Sequence, residues 1–182
     1  MKIVLATESF QPTISGVAVT TFLLAKTLVE QGHNVWVFAP SEQFADTFEH
    51  HPELKRLNVC RFKSLPNPFR SGLRFAFLPK KAVMAKMRAI KPDIVHLQDP
   101  NAVSSATMIA AQDVVVPGIV TNHFIPDFVM AYLWFLGPAK RLAKKRLVAY
   151  LRKFYNQCEV VITPTETIAK VVRSWGIKPK VL

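Results

Sequence analysis

The sequence predicts an α/β fold, a Rossmann-like parallel sheet with helices on both faces. Three observations carry that expectation. Strand-like and helix-like segments alternate from start to finish. The strand segments "KIVLA" (2–6), "NVWVFAP" (34–40), "DIVHL" (93–97) and "EVVIT" (159–163) are apolar, β-branched runs without polar alternation, as in strands buried on both faces. Polar residues collect just beyond the strand ends, at 7–17, Pro40-Ser41, His96–Asn101 and Thr121–Pro126. Those are the places where open parallel sheets bind ligands. A chain of 182 residues, half of them hydrophobic, suffices for one domain with a sizeable core.

The elements follow in order. After the strand 2–6 and a loop with the single glycine Gly16, a helix is expected from Thr20 or Thr21, either of which can cap it. Phe22, Ala25 and Val29 keep its period, and Gly32 stops it. The strand 34–40 precedes a polar connection, 41–57, expected to hold a short helix, and "NVCRF" (58–62) reads as a strand. Residues 63–79, with three prolines and three phenylalanines, read as an exposed loop. Pro79 suits the first position of a helix whose Val83, Met87 and Ile90 face inward. The strand 93–97, a small-residue helix 102–111 and the strand "GIVTN" (118–122) come next. A basic amphipathic helix over 138–157, the strand 159–163, a helix 165–174 and a last strand in "KPKVL" complete the pattern.

The net charge is +12, and its distribution is uneven. Leu54 to Pro92 holds eleven Lys or Arg without an acid, and Phe128 to Cys158 holds seven more. Such segregation points to an anionic partner: phospholipid, nucleic acid or a phosphorylated substrate. Lys80, Lys81, Arg88 and Lys91 share one helix face; Lys140, Arg141, Lys144 and Lys145 lie on another. Basic amphipathic helices of this kind bind anionic membrane surfaces, and Phe69, Phe75 and Phe77 are suited to dip into the interface. No apolar run spans a bilayer, and no signal-peptide pattern opens the chain. Cys60 and Cys158 match no metal or redox spacing and read as buried free thiols in a reducing cytoplasm.

Candidate chemistry lies at the strand ends. A lone Gly16 often marks a turn needing positive φ. A strand, a loop and a helix N-terminus also present N–H groups to an anion, and Thr20 and Thr21 can add hydroxyls. His96, inside a strand, reads as a structural core histidine; Asp99 stands just past that strand, and His123 at the mouth of the next. G-x-S-x-G, H-E-x-x-H, P-loop and G-x-G-x-x-G patterns are all missing, which weighs against hydrolase, zinc, kinase and nicotinamide readings.

Residues 1–41, then "KPDIVHLQDP", "IVTNHF" and "CEVVITPTETIAKVVRSWGI", resemble the N-terminal half of family-four glycosyltransferases, retaining enzymes of GT-B architecture. The order and the basic surfaces are most similar to the lipid-glycosylating members. The resemblance implies that 1–182 is the acceptor-side Rossmann-like domain, one half of a GT-B enzyme whose C-terminal nucleotide-sugar domain is absent. It implies transfer of a sugar from a nucleotide sugar, UDP- or GDP-linked, to a membrane lipid with retention, by the full enzyme and not by this chain alone. It gives His123 the catalytic position, and it places Ser15, Gly16, Val17, Asp99, Thr121 and Asn122 near the donor diphosphate and acceptor. No metal and no cofactor beyond the nucleotide sugar are expected, nor a nucleic-acid partner. The expected location is cytoplasmic, peripheral on the inner face of the membrane, docked to anionic lipid. The alternatives are a basic nucleic-acid-binding α/β domain and an NAD-type Rossmann oxidoreductase.

Overall fold

The computed structural model describes residues 1–67, 73–123, 125, 126, 137 and 139–182. Its strands are β1 (Lys2–Ala6), β2 (Asn34–Pro40), β3 (Thr47–His50), β4 (Leu57–Phe62), β5 (Ser64–Pro66), β6 (Arg74–Ala76), β7 (Ile94–Leu97), β8 (Gly118–Thr121), β9 (Val160–Ile162) and β10 (Lys180–Val181). Its helices are α1 (Gly16–Glu30), α2 (Lys80–Ile90), α3 (Ala102–Asp113), α4 (Lys140–Tyr155) and α5 (Glu166–Ser174). Eight strands form one sheet in the order β10-β9-β8-β7-β1-β2-β4-β3, with only β3 antiparallel, at one edge. The chain grows outward from β1 in both directions. The topological switch therefore falls between β1 and β7, whose carboxyl ends open a crevice.

Alternation along β1 divides the core. Ile3 and Leu5 join Val35, Val37, Leu57 and Val59 in a cluster that takes in Ala25 of α1. Val4 and Ala6 belong to a second cluster, with Val83 and Met87 of α2, Ala106 and Ala110 of α3, Leu151 and Tyr155 of α4, and Val172 of α5. Both faces are thus covered, as the uninterrupted apolar strands require. The inward set expected for α2, Val83, Met87 and Ile90, is buried, and both cysteines are buried and free.

Four local expectations need correction. First, α1 starts at Gly16, not at Thr20 or Thr21. Ser15 is extended (φ −156°, ψ 159°) and its Oγ accepts from the Ala18 N–H at 3.1 Å, which is an N-cap. Thr21 is buried and donates back to the Val17 carbonyl at 2.7 Å, so its hydroxyl serves the helix interior. Second, 41–57 holds a strand, not a helix: β3 pairs with β4, Thr47 opposite Arg61 and His50 opposite Asn58. Third, the described ends of 63–79 form a hairpin, with Ser64 opposite Ala76 and Pro66 opposite Arg74; Phe69 lies outside the described residues. Fourth, Gly16 is not a positive-φ residue; among the described glycines that role belongs to Gly32, Gly137 and Gly176.

The basic faces are solvent-facing, with two qualifications. Lys80, Lys81 and Lys91 are exposed, but the Arg88 guanidinium is paired with Asp113 at 2.8 Å. On α4, Arg141, Lys144 and Lys145 are exposed and Lys140 is half-buried. Pro138, the start expected for this helix, is outside the described residues. Among the described residues, no helix is long and apolar enough to cross a membrane.

Candidate functional site

Each parallel strand ends by releasing its chain above the sheet, and β1 releases Thr7, Glu8 and Ser9. Glu8 turns inward. Its Oε1 accepts from the Ala76 N–H of β6 at 2.7 Å, and its Oε2 from the Val103 N–H in the first turn of α3 at 3.1 Å. One carboxyl group therefore ties the end of β1 to the hairpin and to the first turn of a helix. Beyond β7, Asp99 is saturated in the same way. Its Oδ2 accepts from the Glu8 N–H (2.6 Å) and the Thr7 hydroxyl (3.1 Å), and its Oδ1 from the Asn101 N–H (3.0 Å) and the Ser104 hydroxyl (3.4 Å).

Two buried carboxyl groups side by side resist ionisation. Burial, and then the charge of Asp99, push Glu8 up to about 8, against the pull of its two backbone N–H bonds. Burial also raises Asp99, opposed by its four donors. Glu8 thus holds a proton across much of the neutral range, in the wall of a cavity that both residues line.

That cavity has a volume of 230 Å³ and is lined by Glu8, Ser15, Val17, Arg74, Asp99 and His123, with Phe75 at its wall. On one side stands the start of α1. Ser15, its Oγ 2.6 Å from Ser9 Oγ, caps the Ala18 N–H, and the N–H groups of Gly16 and Val17 keep no partner among the described residues. An added Cβ on Gly16 would meet no atom within 4 Å. Neither φ nor packing demands a glycine there; what remains is unobstructed approach to a helix N-terminus, the usual seat of a phosphate. On the other side, His123 is exposed at the rim, with Nε2 3.2 Å from Gln98 Oε1. Burial of part of its ring lowers its pKa, while Asp99 pulls the other way.

Of the residues singled out in the sequence, Ser15, Val17, Asp99 and His123 meet around this cavity and Gly16 lies in the turn between them. Thr121 and Asn122 stand behind it. The Thr121 hydroxyl is 2.7 Å from Nε2 of buried His96, whose pKa falls to about 4 through burial and then through His123. Asn122 is buried and its Oδ1 accepts from the Tyr155 hydroxyl at 2.7 Å. His96 is the core histidine expected. Sequence reasoning missed Glu8 and Arg74 as cavity residues. For Glu8 a signal existed, a carboxyl group placed two residues past the first strand. A larger cavity of 520 Å³, between α1 and β3, carries less chemistry: its Arg61 is spent on Glu49 (2.5 Å) and the Gln11 carbonyl (2.6 Å).

The parallel sheet covered by helices agrees with the comparisons. Residues 14–182 match the model of glycosyltransferase family 4. The chain belongs to that family. It is 29% identical over 172 residues to the alpha-monoglucosyldiacylglycerol synthase of Acholeplasma laidlawii, covering 92% of this chain and 42% of that protein. It is 24% identical over 179 residues to a GDP-mannose-dependent alpha-mannosyltransferase of Corynebacterium glutamicum, covering 97% and 41%. The family 4 chain therefore spans about two fifths of the length of these relatives. In fold it matches a sucrose-phosphate synthase from Thermosynechococcus elongatus (TM-score 0.61, 12% identity, covering 100% of this chain and 86% of that one). It also matches the catalytic domain of starch synthase IV from Arabidopsis thaliana bound to ADP and acarbose (TM-score 0.57, 12% identity, covering 100% and 50%). The expected α/β fold, a mostly parallel Rossmann-like sheet with helices on both faces, is the fold found.

Proposed function

We propose that this family 4 chain is the N-terminal, acceptor-side domain of a retaining glycosyltransferase that moves a sugar from a nucleotide donor to a membrane lipid. The observation that carries the reading is the single cavity at the β1–β7 switch point, shared by the open α1 N-terminus, Asp99 and His123. In the reaction, charge develops on the leaving diphosphate. The Gly16 and Val17 N–H groups and the positive end of the α1 dipole stabilise such charge without reorganising. His123, across the cavity, positions the sugar, and the Glu8 and Asp99 carboxyl groups hold the walls to which both belong. The second domain, which the relatives' greater length leaves room for, would bring the nucleotide.

Support for a lipid acceptor is indirect: a glucosyldiacylglycerol synthase stands among the relatives, and exposed lysines occupy α2 and α4. Peripheral docking to anionic lipid is part of the same reading.

The test is transfer of radiolabelled sugar from UDP- and GDP-linked donors to diacylglycerol and glycolipid acceptors in mixed micelles, by a parent polypeptide carrying both domains. His123→Ala in that parent is expected to lower turnover on the order of 100-fold with folding intact. This chain alone is expected to fold and to transfer nothing. Wild-type rates in the variant, or turnover by the single domain, would sink the proposal.

A further inference from the structure

Gln98 follows β7 and is 1% exposed. Its backbone N–H donates to the Ala6 carbonyl at 2.8 Å, which fixes it to the end of β1. Its side-chain Oε1 lies 3.2 Å from His123 Nε2, and its own Nε2 has no hydrogen-bond partner among the described residues. Burying an amide and leaving one end unmatched costs about 1–3 kcal/mol, and an apolar side chain of similar size would avoid that cost. Packing alone therefore does not account for glutamine here. The bond to His123 does.

We propose that Gln98 is the positioning residue of His123: its amide oxygen accepts a hydrogen bond from Nε2–H, holds the ring in the neutral Nε2–H tautomer, and leaves Nδ1 as the acceptor.

An amide oxygen only accepts, so it imposes a tautomer. The neighbouring histidine shows the contrast. His96 Nε2 faces the Thr121 hydroxyl at 2.7 Å, and a hydroxyl can donate or accept, so it imposes nothing. A carboxylate at position 98 would draw a second proton onto the ring, whereas a neutral amide orients the ring without charging it. Partial burial of His123 acts in the same sense. With Nε2 committed, the ring's remaining nitrogen accepts a hydrogen bond from a hydroxyl and has no proton to donate to a phosphate oxygen. His123 is thereby matched to a hydroxyl of the substrate and not to the diphosphate. This consequence rests on the glycosyltransferase reading above; the hold of Gln98 on the ring does not.

The experiment uses the chain as it stands, labelled with ¹⁵N-histidine, and reads long-range ¹H–¹⁵N correlations of the imidazole rings near pH 7, with the His123 signals assigned by their loss in His123→Ala. The wild type is expected to show one neutral His123 tautomer, protonated at Nε2. In Gln98→Leu the ring should become a mixture of both neutral tautomers. In Gln98→Glu it should move toward the doubly protonated signature. The His96 signals report that the fold is kept. An Nδ1–H tautomer or a mixture in the wild type would overturn the proposal, and so would an unchanged His123 signature in Gln98→Leu. If neither variant folds, the wild-type spectrum decides alone. Sugar transfer enters nowhere, so loss of the glycosyltransferase reading would leave this result standing.

Discussion

Glu8→Gln should remove a pH dependence that the wild-type fold carries. Folding lifts the Glu8 carboxyl from an ordinary value of 4.5 to about 8, chiefly by burial. The folded state therefore binds more protons than the unfolded chain between those two values, and stability falls as pH rises through the window. The contribution is whole below about 4.5 and gone above about 8. Linkage at about 1.4 kcal/mol per pH step sets a ceiling on the order of 5 kcal/mol. That is a large part of the roughly 5–15 kcal/mol of a typical domain, so the realised fall is expected to be smaller, on the order of 2 kcal/mol. His96 works in the opposite sense. Its folded pKa of about 4 lies below the ordinary 6.5, so its contribution is lost as the solution is acidified through that range. Glutamine cannot ionise. It also turns one amide N–H toward either the Ala76 or the Val103 N–H, so the variant starts about 1–3 kcal/mol weaker at pH 5. Urea unfolding at pH 5, 6, 7 and 8, followed by tryptophan fluorescence and circular dichroism, gives the difference between wild type and variant at each pH. His96 and the net charge cancel in that difference. It should shrink steadily from pH 5 to pH 8. A difference that stays constant would mean that Glu8 is ionised throughout, and that the buried carboxyl pair is held by donors stronger than the two N–H groups described.

Gly16→Ala separates ligand approach from architecture: with open space around the Cβ and no positive φ, stability should stay within about 1 kcal/mol of wild type or rise. Nucleotide-sugar turnover by a two-domain parent should fall, and a strongly destabilised variant would show that the glycine serves the fold. On vesicles rich in anionic lipid, the exposed Lys80, Lys81 and Lys91 should give salt-sensitive binding worth at most about 3 kcal/mol, since Arg88 is already paired with Asp113. The half-exposed Phe75 and Phe77 should add a salt-resistant part, and sedimentation unaffected by changing the three lysines to serine would leave that face a solvated surface.

What the sequence revealed and what it hid follow from the range of the forces involved. The parallel strands were readable because their apolar, β-branched runs record burial on both faces, a property each segment carries by itself. The inward face of α2 was readable for the same reason, its period being local. The start of α1 was misjudged because Thr20 and Thr21 have the side chains of caps. Only the fold decides that Thr21 is buried and bonded back to Val17 while Ser15 takes the cap. The strand β3 was invisible because Thr47–His50 is largely exposed, with no apolar face to announce it, and its order comes from ladder bonds to β4.

The site divides along the same line. His123 stands just past β8 and Gly16 opens the helix that follows β1, where the rule that parallel sheets bind ligands at strand ends directs attention. Glu8 stands at such an end too, yet its meaning depends on N–H groups 68 and 95 residues away. Gln98 likewise acquires a purpose only when β8 brings His123 beside it, 25 residues on. A residue whose role is to touch a ligand keeps its chemical type whatever surrounds it, so its side chain advertises it. A residue whose role is to hold another has no character of its own to read, since the same carboxyl or amide would be a solvated surface group anywhere else. The switch point between β1 and β7 turns such residues into a site: it sets two strand ends side by side, so that the Glu8 N–H donates to Asp99 and the histidine across the crevice is held by the amide next to them.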